Sequence, residues 1–554
     1  MTVVSLAIEN IDLGTKTKRN RGFKETAVAK KSDVFVSKIN EGYPSKGSLY
    51  LGAGIFDGET HKDASVSIPL STLNRHGLIA GATGTGKTKT LQLLTESLSE
   101  AGVPVVLMDI KGDLSGLAEP GEENDKIKER TKALGIDWKP SSYPVEFLSL
   151  SKEPGVRLRA TIAEFGPVLI SRILELNDTQ SSVVSLVFKY CDDLGLPILD
   201  TKDFKKALQY INDAGKEELE KEYGTVSSQS ISIILRKLIE LEGQGGEDFF
   251  GEPSFDVNDL THSESKKGNV SVIRLTDIQT KPRLFSTFML SLLTEIYASF
   301  PEEGDLEKPK LVLFIDEAHL VFDEASSDLL KQLETMVRLI RSKGVGIIFC
   351  TQSPTDLPKE ILAQLGLKIQ HALRAFTAND RKAIKTASEN YPETEFYDTK
   401  EVITELGIGE AFITALSPKG TPTPLVRTLL APPASRMGIL NPDELDAKIK
   451  KSDLVKKYQT TLDRESAHEM LSKKMETIAD ETEAAEEESG EKKTKNKRTK
   501  EKEDSSFVEA LSKNPLAREV GRTVAKEVTR GLLGMLGVTP KRGSKRKKTG
   551  LFGF

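Results

Sequence analysis

Short unbroken apolar runs alternate along this chain with longer stretches in which apolar residues recur every three or four positions. Unbroken runs of four to eight residues suit strands buried on both faces, whereas spacings of three and four line one face of a helix. The runs are Gly77-Leu78-Ile79-Ala80, Val105-Val106-Leu107-Met108, Val270-Ser271-Val272-Ile273, Leu311-Val312-Leu313-Phe314-Ile315, Gly346-Ile347-Ile348-Phe349 and Ala411-Phe412-Ile413. Ahead of the first, Ser48-Leu49-Tyr50-Leu51 and Val66-Ser67-Ile68 read as two short strands that follow a weakly patterned polar segment, residues 1–48. Strand and helix in alternation argue for an α/β fold around a mainly parallel sheet.

Two stretches depart from that alternation. Between about 156 and 262 the spacing turns helical, with Val168, Ile170, Ile173 and Leu174, then Ile231, Ile234, Leu235 and Leu238, which predicts an inserted helical subdomain. Residues 474–505 are almost all Glu, Lys, Asp, Thr and Ala, too polar to bury a core. Beyond them Leu516, Val520, Val524, Val528 and Leu532 recur every four residues, with Arg518, Arg522, Lys526 and Arg530 about opposite, a short basic amphipathic helix. The chain closes on Lys541-Arg542-Gly543-Ser544-Lys545-Arg546-Lys547-Lys548 and the aromatics Phe552 and Phe554. Such a run is either a solvated tail or one drawn to nucleic acid or an anionic membrane.

Composition narrows the class. A chain of 554 residues exceeds one ordinary domain, and 38% hydrophobic residues suffice for a large core. Its two cysteines, Cys191 and Cys350, lie far apart without metal-site or disulfide spacing, which fits a reducing cytoplasm. Residues 1–30 mix Glu9, Asp12 and Glu25 with lysines, so no signal peptide is expected, and no apolar run reaches the length of a transmembrane span. With a net charge of −5, any contact with nucleic acid has to come from local basic surfaces.

The candidate chemistry begins at Gly81-Ala82-Thr83-Gly84-Thr85-Gly86-Lys87-Thr88, between the run ending at Ala80 and a helical stretch from Leu91 to Leu98. Strand, glycine-rich turn and helix in this register form a phosphate-binding loop. The glycines let successive N–H groups turn inward on the β- and γ-phosphates, and the helix adds its positive end. Lys87 supplies a mobile charge, and the Thr88 hydroxyl is placed to ligand the Mg2+ that accompanies ATP. An acidic partner follows at Asp316-Glu317, straight after the run Leu311–Ile315. Asp316 suits the Mg2+ shell and Glu317 the polarising of the attacking water, although the pair could also cap a helix. Gln352 follows the run Gly346–Cys350, where its amide could donate to a phosphate and accept from water, or simply face solvent. Asp109-Ile110-Lys111-Gly112-Asp113 marks another strand end, the edge where ligands gather in parallel sheets.

Several families share parts of this pattern. Asp316-Glu317-Ala318-His319 spells a helicase tetrad, but Thr351-Gln352-Ser353-Pro354 replaces the Ser-Ala-Thr motif that should follow it. Leu114-Ser115-Gly116 stops short of a transporter signature, and Gln352 stands where AAA+ proteins usually place an asparagine. Asn74-Arg75-His76-Gly77-Leu78-Ile79, Asp109-Ile110-Lys111-Gly112-Asp113-Leu114, Phe314-Ile315-Asp316-Glu317-Ala318-His319-Leu320, Arg338-Leu339-Ile340-Arg341-Ser342-Lys343-Gly344-Val345-Gly346 and His371-Ala372-Leu373-Arg374-Ala375-Phe376 together resemble the HerA/FtsK group of P-loop ATPases, closest to bacterial HerA-like proteins of the YjgR type. The likeness runs from about 70 to 470, with a similar small-residue helix near 510 to 537.

That resemblance implies a P-loop NTPase of the RecA-like, additional-strand and catalytic-glutamate type, an ATPase cycle, a hexameric ring and double-stranded DNA as the track. It also implies roles for two arginines. Arg75, twelve residues before Lys87, matches one that reaches a neighbouring subunit's phosphate, and Arg341 matches one acting within its own subunit. The organisation expected is an N-terminal extension with short strands (1–70), a P-loop core (71–435) holding the helical insertion, a helical segment (436–473), a charged linker (474–505) and a basic helix with a lysine-rich tail (506–554). Nucleic-acid processing would need a separate nuclease or other protein partner. A second reading stays open, an ATP-gated scaffold that presents the basic helix to a protein or an anionic membrane.

Overall fold

The computed structural model describes residues 31–491 apart from 262–265, 278–281, 305, 323–326 and 376. The basic amphipathic helix and lysine-rich end expected beyond 505 lie outside the described residues. Among the described residues there are twelve strands: β1 (Ser48–Phe56), β2 (Glu59–Pro69), β3 (Gly77–Ala80), β4 (Val105–Asp109), β5 (Val145–Ser149), β6 (Val156–Arg157), β7 (Val270–Arg274), β8 (Leu311–Ile315), β9 (Val345–Thr351), β10 (Leu367–Gln370), β11 (Glu410–Thr414) and β12 (Val426–Leu430). They form one sheet in the order β2-β1-β12-β11-β10-β3-β9-β8-β4-β7-β5-β6.

From β10 to β6 every neighbouring pair is parallel. The central strands β3, β4, β8 and β9 are buried along their whole length, which is why they read as unbroken apolar runs. From β10 outward the pairing turns antiparallel through β11, β12, β1 and β2. The segment read as an N-terminal extension is therefore part of the sheet: Gly52 to Gly54 of β1 pair with Leu430 to Thr428 of β12. That pairing joins residues far apart in sequence, so local periodicity carries no sign of it. β9 lies between β3 and β8 and pairs with both, in the register Ile79↔Cys350 and Phe314↔Ile348.

The chain divides into two compact units. Among the described residues, one comprises 31–158 with 255–460 and holds the whole sheet; the other comprises 159–254 with 461–491. In the second, helices Ile162–Ile173, Asp178–Leu194 and Thr201–Asn212 each start from a capping box, at Thr161/Glu164, Asn177/Gln180 and Asp200/Asp203. Asp203 also fastens the later helix Ala467–Glu491. Its buried carboxylate accepts from the Ser466 hydroxyl at 2.5 Å and the His468 N–H at 2.8 Å. Sequence spacing set the helical stretch at about 156–262 and treated 436–473 as a segment apart; here the start of Ala467–Glu491 belongs with the inserted helices. Among the described residues no helix is long and apolar enough to cross a membrane.

Candidate nucleotide site

The C-terminal ends of β3, β4, β8 and β9 meet at one edge of the sheet. Gly81 to Gly86 leave β3 as a turn with positive φ at Gly81 (155°), Gly84 (78°) and Gly86 (114°), and helix Lys87–Glu100 follows at once. A side chain at Gly81 would clash, since its Cβ would come within 2.4 Å of His371 Cβ. The loop is anchored from outside: the Gly81 N–H donates to Thr351 O (3.3 Å), Ala82 N–H to Ala372 O (2.8 Å) and Gly409 N–H to Thr85 O (3.1 Å). Among the described residues no backbone carbonyl accepts from the N–H groups of Thr83, Gly84, Gly86, Lys87 or Thr88. Those five donors, at a turn and the first turn of a helix, form a concave set suited to an anion.

Lys87 is buried, and its Nζ donates to the loop's own carbonyls, Gly81 O at 2.6 Å and Ala82 O at 3.2 Å. Burial pushes its proton affinity down, while Glu317 and Asp316 oppose that from within electrostatic range. His371 is also fully buried here, its Nε2 2.8 Å from the Thr90 hydroxyl. Burial, with Lys87 adding to it, lowers its pKa to about 4, so the ring is neutral.

Asp316 and Glu317 leave β8 buried, at 3% and 7% exposure. Burial raises the Asp316 pKa, with Lys111 pulling it back and Glu317 pushing it further up. Asp316 Oδ2 and Glu317 Oε2 have no hydrogen-bond partner. Such buried acceptors are costly unless something else occupies them, and a hydrated divalent cation suits an unpartnered carboxylate oxygen. Glu317 has φ of 45°, strained for a residue with a side chain, and the next N–H, Ala318, donates to Cys350 O at 2.9 Å. Glu317 Oε1 pairs with Lys111 Nζ, while His319 Nδ1 stands 3.3 Å from Oε2 without hydrogen-bond alignment.

Lys111 and His371 lie in stretches that sequence singled out, but neither was given a role there, and Cys350 carried no signal beyond its strand. Cys350 is buried on β9; its thiol is pushed up by burial first and by Asp316 next. Gln352 is exposed just past β9 on the same edge as the loop, Asp316 and Glu317.

Arg75 and Arg341 are elsewhere. Arg75 ends the turn Leu70–Arg75 before β3, and Arg341 precedes β9, so both lie at the N-terminal ends of strands whose C-terminal ends carry the phosphate loop and Gln352. The seven residues of β9 span roughly 23 Å. Arg341 is exposed and stands before the start of that strand, at the end opposite Gln352. Between the two arginines His76, 2% exposed, donates from Nε2 to Val337 O (2.7 Å) and accepts at Nδ1 from the Ile347 N–H (3.0 Å). The carbonyl and the N–H fix the tautomer, and burial lowers the pKa to about 4.

A phosphate loop after one strand, an Asp-Glu pair after another and an added strand between them define a P-loop NTPase of the additional-strand type. The family model for the helicase HerA-like C-terminal region matches residues 56–542, and the chain belongs to that family. It is 24% identical over 397 residues to the DNA double-strand break repair helicase HerA of Saccharolobus solfataricus, covering 67% of each chain. To the protein of that name from Sulfolobus acidocaldarius it is 23% identical over 361 residues, covering 63% of this chain and 64% of the relative. This chain thus spans 64 to 67% of the length of those relatives. Among solved structures it is similar to the plasmid coupling protein TrwB in complex with ADP and Mg2+ (TM-score 0.47, 16% identity, 74% of this chain and 93% of that one). It is also similar to VirB4 of Thermoanaerobacter pseudethanolicus (TM-score 0.42, 15% identity, 73% and 100%).

Proposed function

We propose that this chain is an ATP-hydrolysing motor that works in the cytoplasm as a hexameric ring and moves double-stranded DNA. The observation that carries the hydrolytic part is the buried Asp316-Glu317 pair, with one unpartnered oxygen on each residue, at the edge where the phosphate loop leaves its N–H groups unspent. Lys87 exchanges its two carbonyl partners for the β- and γ-phosphates when ATP enters, a charge-assisted contact in place of neutral ones. Thr88 and Asp316 would hold Mg2+, which neutralises charge on the phosphates when bound. Glu317 takes the proton of the attacking water, and Gln352 orients that water from the end of β9. Arg75 serves the nucleotide of the next subunit, where its guanidinium offsets charge on the transferring phosphoryl group. The name of the relatives supports DNA as the track, and nuclease or other protein partners would act with the motor.

The test is ATP turnover with and without double-stranded DNA over a salt series. Stimulation that fades steeply with salt is expected. ATP turnover indifferent to DNA at low salt would remove the DNA part and leave an ATP-gated scaffold.

A further inference from the structure

We infer that Lys111 is a positioning residue for Glu317, required for turnover; the inference rests on the ATPase reading above. β4 and β8 are paired neighbours in the register Met108↔Ile315, which brings the residues just past their ends, Lys111 and Glu317, side by side. The turn that carries Lys111 is pinned to the end of β4. Asp109 Oδ1 accepts from the N–H groups of Gly112 (2.7 Å) and Asp113 (3.3 Å), Oδ2 accepts from Leu114 (3.2 Å), and Gly112 takes a φ of 75°. Lys111 thus leaves a fixed backbone, and its Nζ meets Glu317 Oε1.

On the other side, the Glu317 backbone is set by its left-handed conformation and by the Ala318 N–H bond to Cys350 O, and among the described residues Lys111 is the lysine that pairs with its carboxylate, with His319 Nδ1 3.3 Å from the other oxygen. A general base has to present one oxygen to water in a fixed direction. Lys111 occupies Oε1 and leaves Oε2 without a hydrogen bond, so it orients the carboxylate without consuming the atom that accepts the proton. Its charge also offsets the repulsion between two buried neighbouring carboxylates, Asp316 and Glu317, that would otherwise drive them apart. The Lys111 side chain is 38% exposed, so replacing it leaves the core packing in place.

The experiment measures kcat and KM for ATP in the full chain for Lys111→Ala, Lys111→Arg, Glu317→Gln and the double variant Lys111→Ala/Glu317→Gln. Lys111→Ala should lower kcat roughly 10- to 100-fold, the scale of a misplaced catalytic group, with KM nearly unchanged. Lys111→Arg should recover part of the rate, and Lys111→Ala should cost nothing further once Glu317 is already Gln. An unchanged or raised kcat in Lys111→Ala, equal loss in the Ala and Arg variants, or a loss that multiplies with that of Glu317→Gln overturns the inference. If Lys111→Ala fails to fold, Lys111→Gln, which keeps the stem, is read by the same criteria. The underlying reading is judged separately: hydrolysis surviving Lys87→Ala would sink the ATPase assignment, whereas a silent Lys87→Ala beside a fully active Lys111→Ala sinks the Lys111 role alone.

Discussion

The two ends of the central strands treat their buried polar groups differently. At the C-terminal ends of β8 and β3, Asp316 Oδ2, Glu317 Oε2 and a row of loop N–H groups are left without partners in a site built from buried residues. At the N-terminal ends His76 spends both ring nitrogens on backbone groups, although the Asn74 amide oxygen nearby stays unpartnered. Unspent hydrogen-bonding capacity in a buried place is costly, and a fold keeps it where a ligand repays the cost. A satisfied ring clamping the helix Ser327–Ile340 to β3 and β9 makes instead a stiff platform, and Arg75 stands on it. One end keeps donors and acceptors open, and the other closes its histidine on the backbone.

Lys87→Ala should show the largest effect, abolishing ATP binding or turnover, as read by nucleotide affinity and phosphate release. A variant that still turned over would erase the difference between the ends. Arg75→Ala should leave ATP affinity intact and lower turnover by about 10³-fold or more, the scale of an arginine finger. Equal loss of affinity and rate would move Arg75 from the transition state to ground-state binding. Glu317→Gln should retain ATP and Mg2+ while losing about 10²- to 10⁴-fold in rate, because an amide keeps the shape but accepts no proton from water.

The smallest effect concerns the platform. The folded-state pKa of His76 is lowered to about 4 from 6.5, so between those values the unfolded chain binds the additional proton and stability falls as pH falls. The contribution of the neutral ring is complete above pH 6.5 and is lost towards pH 4. Denaturant unfolding of the wild type and His76→Asn should show a stability gap that narrows by up to about 3 kcal/mol between pH 7 and pH 4. A pH-independent gap would mean that the ring is not held neutral.

How much was legible in advance follows the same division. The phosphate loop and Asp316-Glu317 could be read directly, because phosphate and its cation demand particular residue types at fixed spacing next to apolar runs that survive any folding detail. The parallel strands β3, β4, β7, β8 and β9 were legible for the same reason of two-sided burial. Strands β10 and β12 were not, since Leu367-Lys368-Ile369-Gln370 and Val426-Arg427-Thr428-Leu429-Leu430 mix polar with apolar positions and draw their stability from distant partners. The stretch holding Lys111 was legible as a strand end, but its pairing with Glu317 shows only once β4 is set beside β8. Arg341 was pointed to by the resemblance alone, and it stands before β9 rather than at the strand end that carries Gln352.

The central claim, that a working site takes its phosphate loop from one subunit and its cation from the next, is tested most directly by mixing Arg75→Ala with Glu317→Gln. Each variant alone should be nearly inactive. In mixed rings some interfaces pair an intact Arg75 with an intact Glu317, and turnover should return as the ratio is varied, peaking between the pure samples. Demonstrated co-assembly with no recovered activity at any ratio would contradict the claim, as would rescue in a mixture that light scattering shows to be monomeric.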